Sequence, residues 1–377
     1  MPTSHAQCRQ PAVALAEIGA VIAANGGRGG DPRKARAYHV PGEEAERPML
    51  TAADYQPARW LRNAHVQSVL GSSPMRRRVG ERSLAASGAV TTEHLIDAGD
   101  GVRLQGLHSA VAGVEPRGLV LLLHGWEGSV DSSYMRLTAA QMLARGFEVF
   151  RLNFRDHGNT HHLNEGLFHS NRIDEVVHAA CEVARRFPLR PMMVAGYSLG
   201  GNFALRLALR APAAGLALAH VAAVCPVLDP ARTMEAMEQG LPLYMWYFEH
   251  KWRESLARKR ALFPQQHGFD DRALGLRMRP LTQWLVEHYT DFGTLERYFD
   301  GYSIAGDRLA GLQMPASILM AADDPVIPVD GFRALRLPET ASLEISPWGG
   351  HCVFIQNANL DGFAERWIAE RLAGSLG

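Results

Sequence analysis

The chain has 377 residues, of which 47% are hydrophobic, enough to bury a large core in one sizeable domain with an insertion. Its 39 Lys and Arg residues balance 39 Asp and Glu residues, so no net charge draws it to nucleic acid or to an anionic membrane. The sequence contains no uninterrupted run of about 20 apolar residues, so it predicts no membrane-spanning helix. The cysteines form neither a zinc pattern nor a disulfide framework, which favours a reducing, cytoplasmic location. They are Cys8, Cys181, Cys225 and Cys352.

Residues 1–48 are predicted to be a disordered N-terminal extension. Residues 25–48 are rich in Gly, Arg and Glu and contain almost no large apolar side chain. Residues 11–24 are mildly apolar, but Glu17 interrupts them, which argues against a secretory signal. The folded part is therefore expected to begin near Met49.

From residue 92 onward, strand-like and helix-like patterns alternate. Gly99-Asp100-Gly101 separates two strand-like runs and predicts a β-hairpin. Further strands are expected at residues 119–123, 147–152, 192–195, 217–224, 316–321 and 343–345, and helices at 134–145, 173–187 and 363–372. Continuous apolar strands that alternate with helices indicate an α/β fold with a mostly parallel, twisted sheet covered by helices on both faces. The two parts of this core are expected at residues 49–228 and 314–377.

Residues 229–313 interrupt the alternation with a helical, strongly aromatic segment. Insertions at the carboxyl edge of such a sheet lie over the binding site, so we interpret this segment as a helical cap. The alternative is a helical insertion whose aromatic side chains form a core of their own. The short basic runs at residues 76–78 and 258–260 are interpreted as solvated faces.

A serine motif is the first candidate for catalysis. Gly196-Tyr197-Ser198-Leu199-Gly200 follows an apolar strand and precedes a helical pattern. In that context Gly-x-Ser-x-Gly forms a nucleophile elbow, where glycines allow a strained turn to pack closely against its strand and helix. The N-terminal amides of the helix then point at the site, which suits a developing oxyanion. The alternative is an ordinary strand-to-helix turn.

Other segments favour the catalytic interpretation. His124-Gly125-Trp126-Glu127-Gly128 ends a buried strand upstream of the serine. Asp323-Asp324-Pro325 and then Gly349-Gly350-His351 follow two later strands. Ser, Asp and His in this chain order, with an oxyanion loop upstream, is the arrangement of an α/β-hydrolase triad.

Several motifs together carry a family resemblance. They are residues 59–67 (RWLRNAHVQ), 124–129 (HGWEGS), 153–155 (NFR), 169–170 (HS), 196–202 (GYSLGGN), 323–325 (DDP) and 349–351 (GGH). Over about residues 49–377 the chain resembles the α/β-hydrolase superfamily and, within it, the YheT-like (AB hydrolase 4) esterases and lipases. It departs from the family where Asn-Phe-Arg-Gly is usual, because Asp156 stands in place of the glycine. This departure bears on substrate preference rather than on the core chemistry.

The resemblance and the order of the motifs imply a role for each residue. Ser198 is expected to be the nucleophile and His351 the base that takes its proton. Asp324 is expected to orient His351 and to stabilise its imidazolium form. In the family that the chain resembles, the catalytic carboxylate lies just before a proline-containing turn, as Asp324 lies before Pro325. Asp323 is the alternative.

The remaining site residues concern the oxyanion and the substrate. The backbone amides of Trp126 and Leu199 are expected to form the oxyanion hole. Side chains expected near the substrate are Trp126, His157, Tyr197, Trp246 and Phe248. The histidines of residues 157–169 suggest a metal site, but adjacent histidines point apart and no Cys or paired carboxylate joins them. We therefore predict no metal and no cofactor.

These features predict a serine hydrolase that cleaves carboxylic esters, either short-chain esters or acylglycerols, through an acyl-enzyme on Ser198. The aromatic cap favours an uncharged, partly apolar small-molecule substrate. One alternative is an acyltransferase or thioesterase that uses the same triad, and another is a catalytically silent binding protein with this fold. Nothing in the sequence predicts a nucleic-acid partner or stable membrane insertion, and the oligomeric state is left open.

Overall fold

The computed structural model describes residues 49–188 and 191–375, so the predicted extension at residues 1–48 lies outside the described residues. The strands are β1 (Val90–Asp97), β2 (Arg103–Ala110), β3 (Leu119–Leu123), β4 (Glu148–Leu152), β5 (Met192–Tyr197), β6 (Leu218–Val224), β7 (Ala316–Ala321) and β8 (Ala341–Ser346). They form one sheet in the order β1-β2-β4-β3-β5-β6-β7-β8.

This sheet is parallel except at one edge. The hairpin strands β1 and β2 pair antiparallel, and so do β2 and β4. Every other pairing, from β4 through β3 to β8, is parallel. All residues of β3, β4, β5 and β7 are buried, as expected for strands covered on both faces. The predicted fold class is confirmed.

Helices cover both faces of the sheet. They are α1 (Ala64–Gly71), α2 (Pro74–Ala86), α3 (Ser133–Leu143), α4 (Ile173–Arg186), α5 (Leu199–Arg210), α6 (Pro230–Gln239), α7 (Pro242–Leu262), α8 (Asp271–Leu274), α9 (Met278–Tyr289), α10 (Leu295–Tyr302), α11 (Asp330–Arg333) and α12 (Phe363–Gly374). Helix α3 packs on α2 and α12, whereas α4 packs on α5. In α4, Ile173, Val176 and Val183 are buried at helical spacing, while Arg185 and Arg186 mark the exposed end.

The topology gathers the candidate residues at one edge of the sheet. Parallel strands end on the same side, and the loops after β3, β5, β7 and β8 carry the motifs named above. Helices α6 to α10 come between β6 and β7, so a helical segment interrupts the sheet at residues 230–302. No helix in the described part of the chain is both long and apolar enough to cross a membrane.

Candidate active site

Ser198 lies on the sharp turn between β5 and α5. Its backbone has φ 53° and ψ −120°, a conformation that side-chain-bearing residues rarely adopt. Its amide donates a hydrogen bond to Val224 O at 2.9 Å, which ties the turn to β6. A Cβ on Gly196 would overlap the backbone of Gly200, and a Cβ on Gly200 would overlap the carbonyls of Leu123 and His124. The two glycines of the motif are therefore required by close packing.

A continuous chain of hydrogen bonds connects three of the predicted residues. Ser198 Oγ lies 3.0 Å from His351 Nε2. On the other side of the ring, His351 Nδ1 lies 2.9 Å from Asp324 Oδ2. The Asp324 side chain has no exposed surface, and that of His351 is 14% exposed. The structure thus brings together a hydroxyl, an imidazole and a buried carboxylate in the order that hydroxyl activation needs.

The two adjacent aspartates have different partners. Asp324 Oδ1 accepts hydrogen bonds from the amides of Val326 at 2.8 Å and Ile327 at 3.0 Å, which fixes the carboxylate that meets His351. Asp323 Oδ1 instead accepts from the amide of Gly350 at 3.0 Å. Asp324 therefore contacts the imidazole, whereas Asp323 holds the loop that carries it.

The loop of His351 is fixed by further contacts. The His351 amide donates to Ser68 Oγ at 3.1 Å. Gly350 has φ 56°, and a Cβ there would be 2.7 Å from the carbonyl oxygen of Ala64. Burial lowers the pKa of His351, but the negative charges of the Asp324 carboxylate and the neighbouring Cys352 thiolate outweigh it and raise that pKa well above its usual value of 6.5.

Two residues that line the cavities at Ser198 have backbone amides without a partner among the described residues. The amides of Trp126 and Leu199 donate no hydrogen bond to any residue in the described ranges. The loop before Trp126 is held by Gly125, whose amide donates to Tyr134 Oη at 3.0 Å. His124 also holds this loop in place through two hydrogen bonds. Its Nδ1 donates to Gly125 O at 2.7 Å, and its Nε2 accepts from the Phe154 amide. Free amides beside the serine suit a developing oxyanion.

Ser198 lies where two cavities meet. A large cleft of about 960 Å³ contains Ser198 and His351, whereas a narrower pocket of about 110 Å³ contains Ser198 and Leu199 but not His351. Trp126 and Phe248 line both cavities, and their rings stack with centroids 5.4 Å apart. This aromatic pair is therefore shared by the walls of the two cavities that contain Ser198.

Residues 118–358 match the model of a family described as the alpha/beta hydrolase fold. This chain belongs to the α/β-hydrolase family. Over 335 residues it is 26% identical to the Escherichia coli (strain K12) protein named "Putative esterase YheT", a match that covers 85% of this chain and 92% of that protein. The resemblance predicted from the sequence is confirmed.

Two solved structures are similar to this α/β hydrolase. The Pyrococcus furiosus esterase Pf2001 has a TM-score of 0.51 and 16% identity, covering 78% of this chain and 92% of that one. The 2,6-dihydroxy-pseudo-oxynicotine hydrolase has a TM-score of 0.51 and 18% identity, covering 80% of this chain and 73% of that one. At these identities the two structures support the fold alone.

The departure of this hydrolase from the family motif has a structural counterpart. Asp156 has φ 60°, a conformation that glycine adopts without strain, which explains a glycine in related sequences. Here the Asp156 carboxylate accepts from Lys259 Nζ at 2.7 Å, and the Lys259 side chain is 1% exposed. Lys259 also donates to the carbonyls of His161 and Asn164. A buried ion pair therefore ties α7 to the loop after β4.

The basic runs are consequently not wholly solvated, which corrects the expectation from the sequence. Lys259 is buried against Asp156, and Arg76 is buried with its guanidinium 2.5 Å from Glu365. Each charge is buried because a carboxylate from a distant part of the chain meets it. The sequence neighbours of these residues, Arg77 and Arg258, are exposed as expected.

The histidines of the loop lie in separate environments. His157 is buried, its Nδ1 donates to Arg155 O at 2.7 Å, and burial lowers its pKa to about 4. His161 contacts Ser255 Oγ, His162 is exposed, and His169 lines the small pocket. Within residues 49–188 and 191–375, no group of three or more His, Cys, Asp or Glu side chains is placed to hold a metal ion. The absence of a metal stays a prediction.

Three side chains expected near the substrate lie in different places. Phe248 lines both cavities that contain Ser198, but Trp246 is 52% exposed, stacks on His250 and lines neither cavity. Residues two positions apart on a helix point about 200° apart, so α7 cannot direct both rings at the serine. Tyr197 borders the cleft, yet its ring is buried and its hydroxyl lies 2.6 Å from Thr138 Oγ1. The expectations for Trp246 and for the Tyr197 side chain are therefore not supported by their positions.

Some residues at the cavities were not expected from the sequence. They are Glu127 at the cleft, and Met234, Met237 and Met278 at the small pocket. The methionines carry no motif and lie on α6 and α9, so only the packing of the helical segment brings them together. Asp156, in contrast, could have been noticed in the sequence. A charged residue in place of a family glycine indicates that a partner of opposite charge lies nearby, and that partner is Lys259.

Proposed function

We propose that this α/β hydrolase cleaves carboxylic esters through an acyl-enzyme on Ser198. The observation that carries the proposal is the hydrogen-bond chain from Ser198 Oγ through His351 to Asp324. A free serine hydroxyl is barely ionised near neutral pH, so it needs a base within hydrogen-bond distance. The name of the Escherichia coli relative, "Putative esterase YheT", agrees with this chemistry.

Acylation begins with attack of Ser198 Oγ on the ester carbonyl carbon, while His351 Nε2 takes the hydroxyl proton. Asp324 keeps the Nδ1 proton of His351 in place and stabilises the imidazolium. The amides of Trp126 and Leu199 then stabilise the negative carbonyl oxygen of the tetrahedral intermediate. When the bond to the alcohol oxygen breaks, His351 returns its proton to that oxygen and the alcohol leaves.

Deacylation repeats these steps with water. His351 takes a proton from a water molecule as the water oxygen attacks the acyl carbon. The bond to Ser198 Oγ then breaks, and the serine regains its proton from His351 as the carboxylic acid leaves. The cleft of about 960 Å³ is large enough to admit water beside His351.

The helical segment is proposed to act as a cap at residues 229–313. Phe248 of α7 stacks on Trp126, and both side chains line the cleft that contains Ser198. The Lys259–Asp156 ion pair holds the same helix to the core. The segment would therefore shape the substrate cavities while the core supplies the chemistry.

A fluorophosphonate probe tests the proposal, because it reacts with an activated serine and leaves unactivated hydroxyls alone. Wild-type protein should be labelled at Ser198, and Ser198→Ala should lose both the label and ester turnover by a factor on the order of 10⁴ or more. Ser72→Ala is the matched control, since Ser72 is an exposed serine of the same cleft. Full labelling of Ser198→Ala would show that another residue is the nucleophile.

A further inference from the structure

The position of His351 distinguishes the two cavities at Ser198. In ester cleavage the imidazole returns its proton to the oxygen of the departing alcohol, so the alcohol must lie on the side of the base. His351 lines the large cleft and does not line the small pocket. Leu199, whose amide is free for the oxyanion, lines the small pocket. The acyl group therefore extends into the small pocket and the alcohol into the cleft.

The small pocket is apolar and limited in size. Its walls are mainly thioether, aliphatic and aromatic groups: Val227, Met234, Met237, Met278, Phe299 and Ile327. Two of its polar side chains are engaged elsewhere, because Thr282 Oγ1 donates to Met278 O and Tyr298 Oη accepts from the Ser170 amide. A cavity of about 150 Å³ holds benzene, so a pocket of about 110 Å³ holds an acyl chain on the order of four carbons.

The cleft has a different lining. Charged side chains of both signs border it, among them Glu127, Lys251, Glu254 and Arg258. Glu127 follows the oxyanion loop and makes no ion pair or side-chain hydrogen bond with any residue that the structure describes. Burial raises the pKa of Glu127 to about 8, and its carboxyl group borders the cleft, where it can hydrogen-bond a hydroxyl group of the alcohol. These charged side chains can solvate a polar group of the alcohol.

We infer that the substrate is an ester of a short apolar acid with a bulky, hydrophilic alcohol. The inference rests on the proposed function, since it assigns the two sides of the same serine. Met234, Met237 and Met278 limit the acyl length, and Glu127 hydrogen-bonds the alcohol. The volume of the pocket favours short acyl chains over long ones, although methionine side chains can adapt to small differences in shape.

Two ester series test the two halves of the inference separately: the acyl half, which concerns the acid, and the alcohol half, which concerns the leaving alcohol. In the first, nitrophenyl acetate, butyrate, hexanoate, octanoate and laurate share one alcohol. We expect kcat/KM to rise by about fourfold per buried methylene up to butyrate, and to fall at octanoate and laurate. In the second, butyrate esters of glycerol, glucose, ethanol and octanol share one acid, and the glycerol and glucose esters should be preferred over the octyl ester.

Variants test which residues limit the acyl length and which residue binds the alcohol. Met237→Ala should move the acyl optimum toward hexanoate or octanoate, and Met278→Ala serves the same purpose if Met237→Ala folds poorly. Met245→Ala is the matched control, because Met245 is a similarly buried methionine of the helical segment that lines neither cavity. Glu127→Ala should raise KM several-fold more for glyceryl butyrate than for ethyl butyrate.

Each outcome has a distinct meaning. A wild-type optimum at octanoate or laurate, or an unchanged acyl profile in both methionine variants, overturns the acyl half. Preference for the octyl ester, or equal effects of Glu127→Ala on both butyrates, overturns the alcohol half. If no ester is cleaved and no fluorophosphonate label appears, the proposed function fails, and the inference fails with it.

Discussion

The strand-end loops and the helical segment contribute to the same site by different means. Ser198, Asp324 and His351 are held by backbone hydrogen bonds and by backbone conformations such as φ 53° at Ser198. The helical segment instead presents apolar walls and is tied to the core through Lys259 and Asp156. Proton transfer needs atoms fixed within hydrogen-bond distance, whereas an acyl chain needs only apolar volume. Substitutions in the loops should therefore affect the chemical step, and those in the segment should affect stability or selectivity.

The largest effect is expected from the triad carboxylate. Asp324→Asn should lower kcat by a factor on the order of 10⁴, because an amide stabilises the wrong tautomer of His351. Asp323→Asn is the matched control and should have a small effect, since an asparagine oxygen can still accept the hydrogen bond from Gly350. Steady-state kinetics on nitrophenyl butyrate measures both. A larger loss in Asp323→Asn would assign the acid to Asp323.

The next effect concerns the attachment of the helical segment. Lys259→Met leaves the buried Asp156 carboxylate without its cation, so the free energy of unfolding should fall by about 3–5 kcal/mol. The double variant Lys259→Met with Asp156→Gly should recover part of this loss, because it removes the charge and suits the positive φ. Urea denaturation followed by circular dichroism measures the difference. Lys251→Met, on the same helix but less buried, is the control.

An unfolding free energy of Lys259→Met equal to that of the wild type would show that the ion pair does not stabilise the protein. A double variant less stable than the single one would instead show that Asp156 stabilises the loop without Lys259. Either result would show that contacts other than the Lys259–Asp156 ion pair attach the helical segment to the core.

A smaller effect is expected in the pH profile. A base must be neutral to take the serine proton, so kcat/KM should fall as the pH drops through the raised pKa of His351. The midpoint of this acid limb should lie above 6.5, the usual value. Cys352→Ala removes one cause of the raised pKa and should move the midpoint to lower pH, whereas Cys181→Ala should not. An acid limb below 6.5 in the wild type would contradict the raised pKa.

No effect is expected from metal removal. The proposed mechanism uses a serine, an imidazole and backbone amides, so prolonged treatment with a chelator should leave ester turnover unchanged. Loss of activity that zinc restores would show that the histidines of residues 157–169 have a role that the proposed mechanism lacks.

The strand-end loops were predictable from the sequence because their backbone geometry allows only a few residue types at certain positions. The glycines around Ser198 and the Gly349-Gly350 pair before His351 are required by close packing or positive φ, so their pattern is visible in the sequence. The sheet was predictable for a similar reason, since strands buried on both faces read as continuous apolar runs.

The helical segment was less predictable because its contacts depend on which side of each helix meets the core. Trp246 and Phe248 are both large aromatic residues on α7, and nothing in the local sequence tells which one lines the cavities at Ser198. Lys259 belongs to a basic run that looks solvated, and its partner Asp156 lies 103 residues away in sequence. Such long-range pairing is decided by the fold, so the sequence alone did not indicate it.

The most direct measurement of the central claim is the mass of the acyl-enzyme. Wild-type protein mixed with nitrophenyl butyrate, quenched in acid during turnover and digested, should yield a peptide that contains Ser198 and carries one butyryl group. The same peptide from Ser198→Ala should carry none. A butyryl group on a different residue, or full turnover by Ser198→Ala, would contradict covalent catalysis by Ser198.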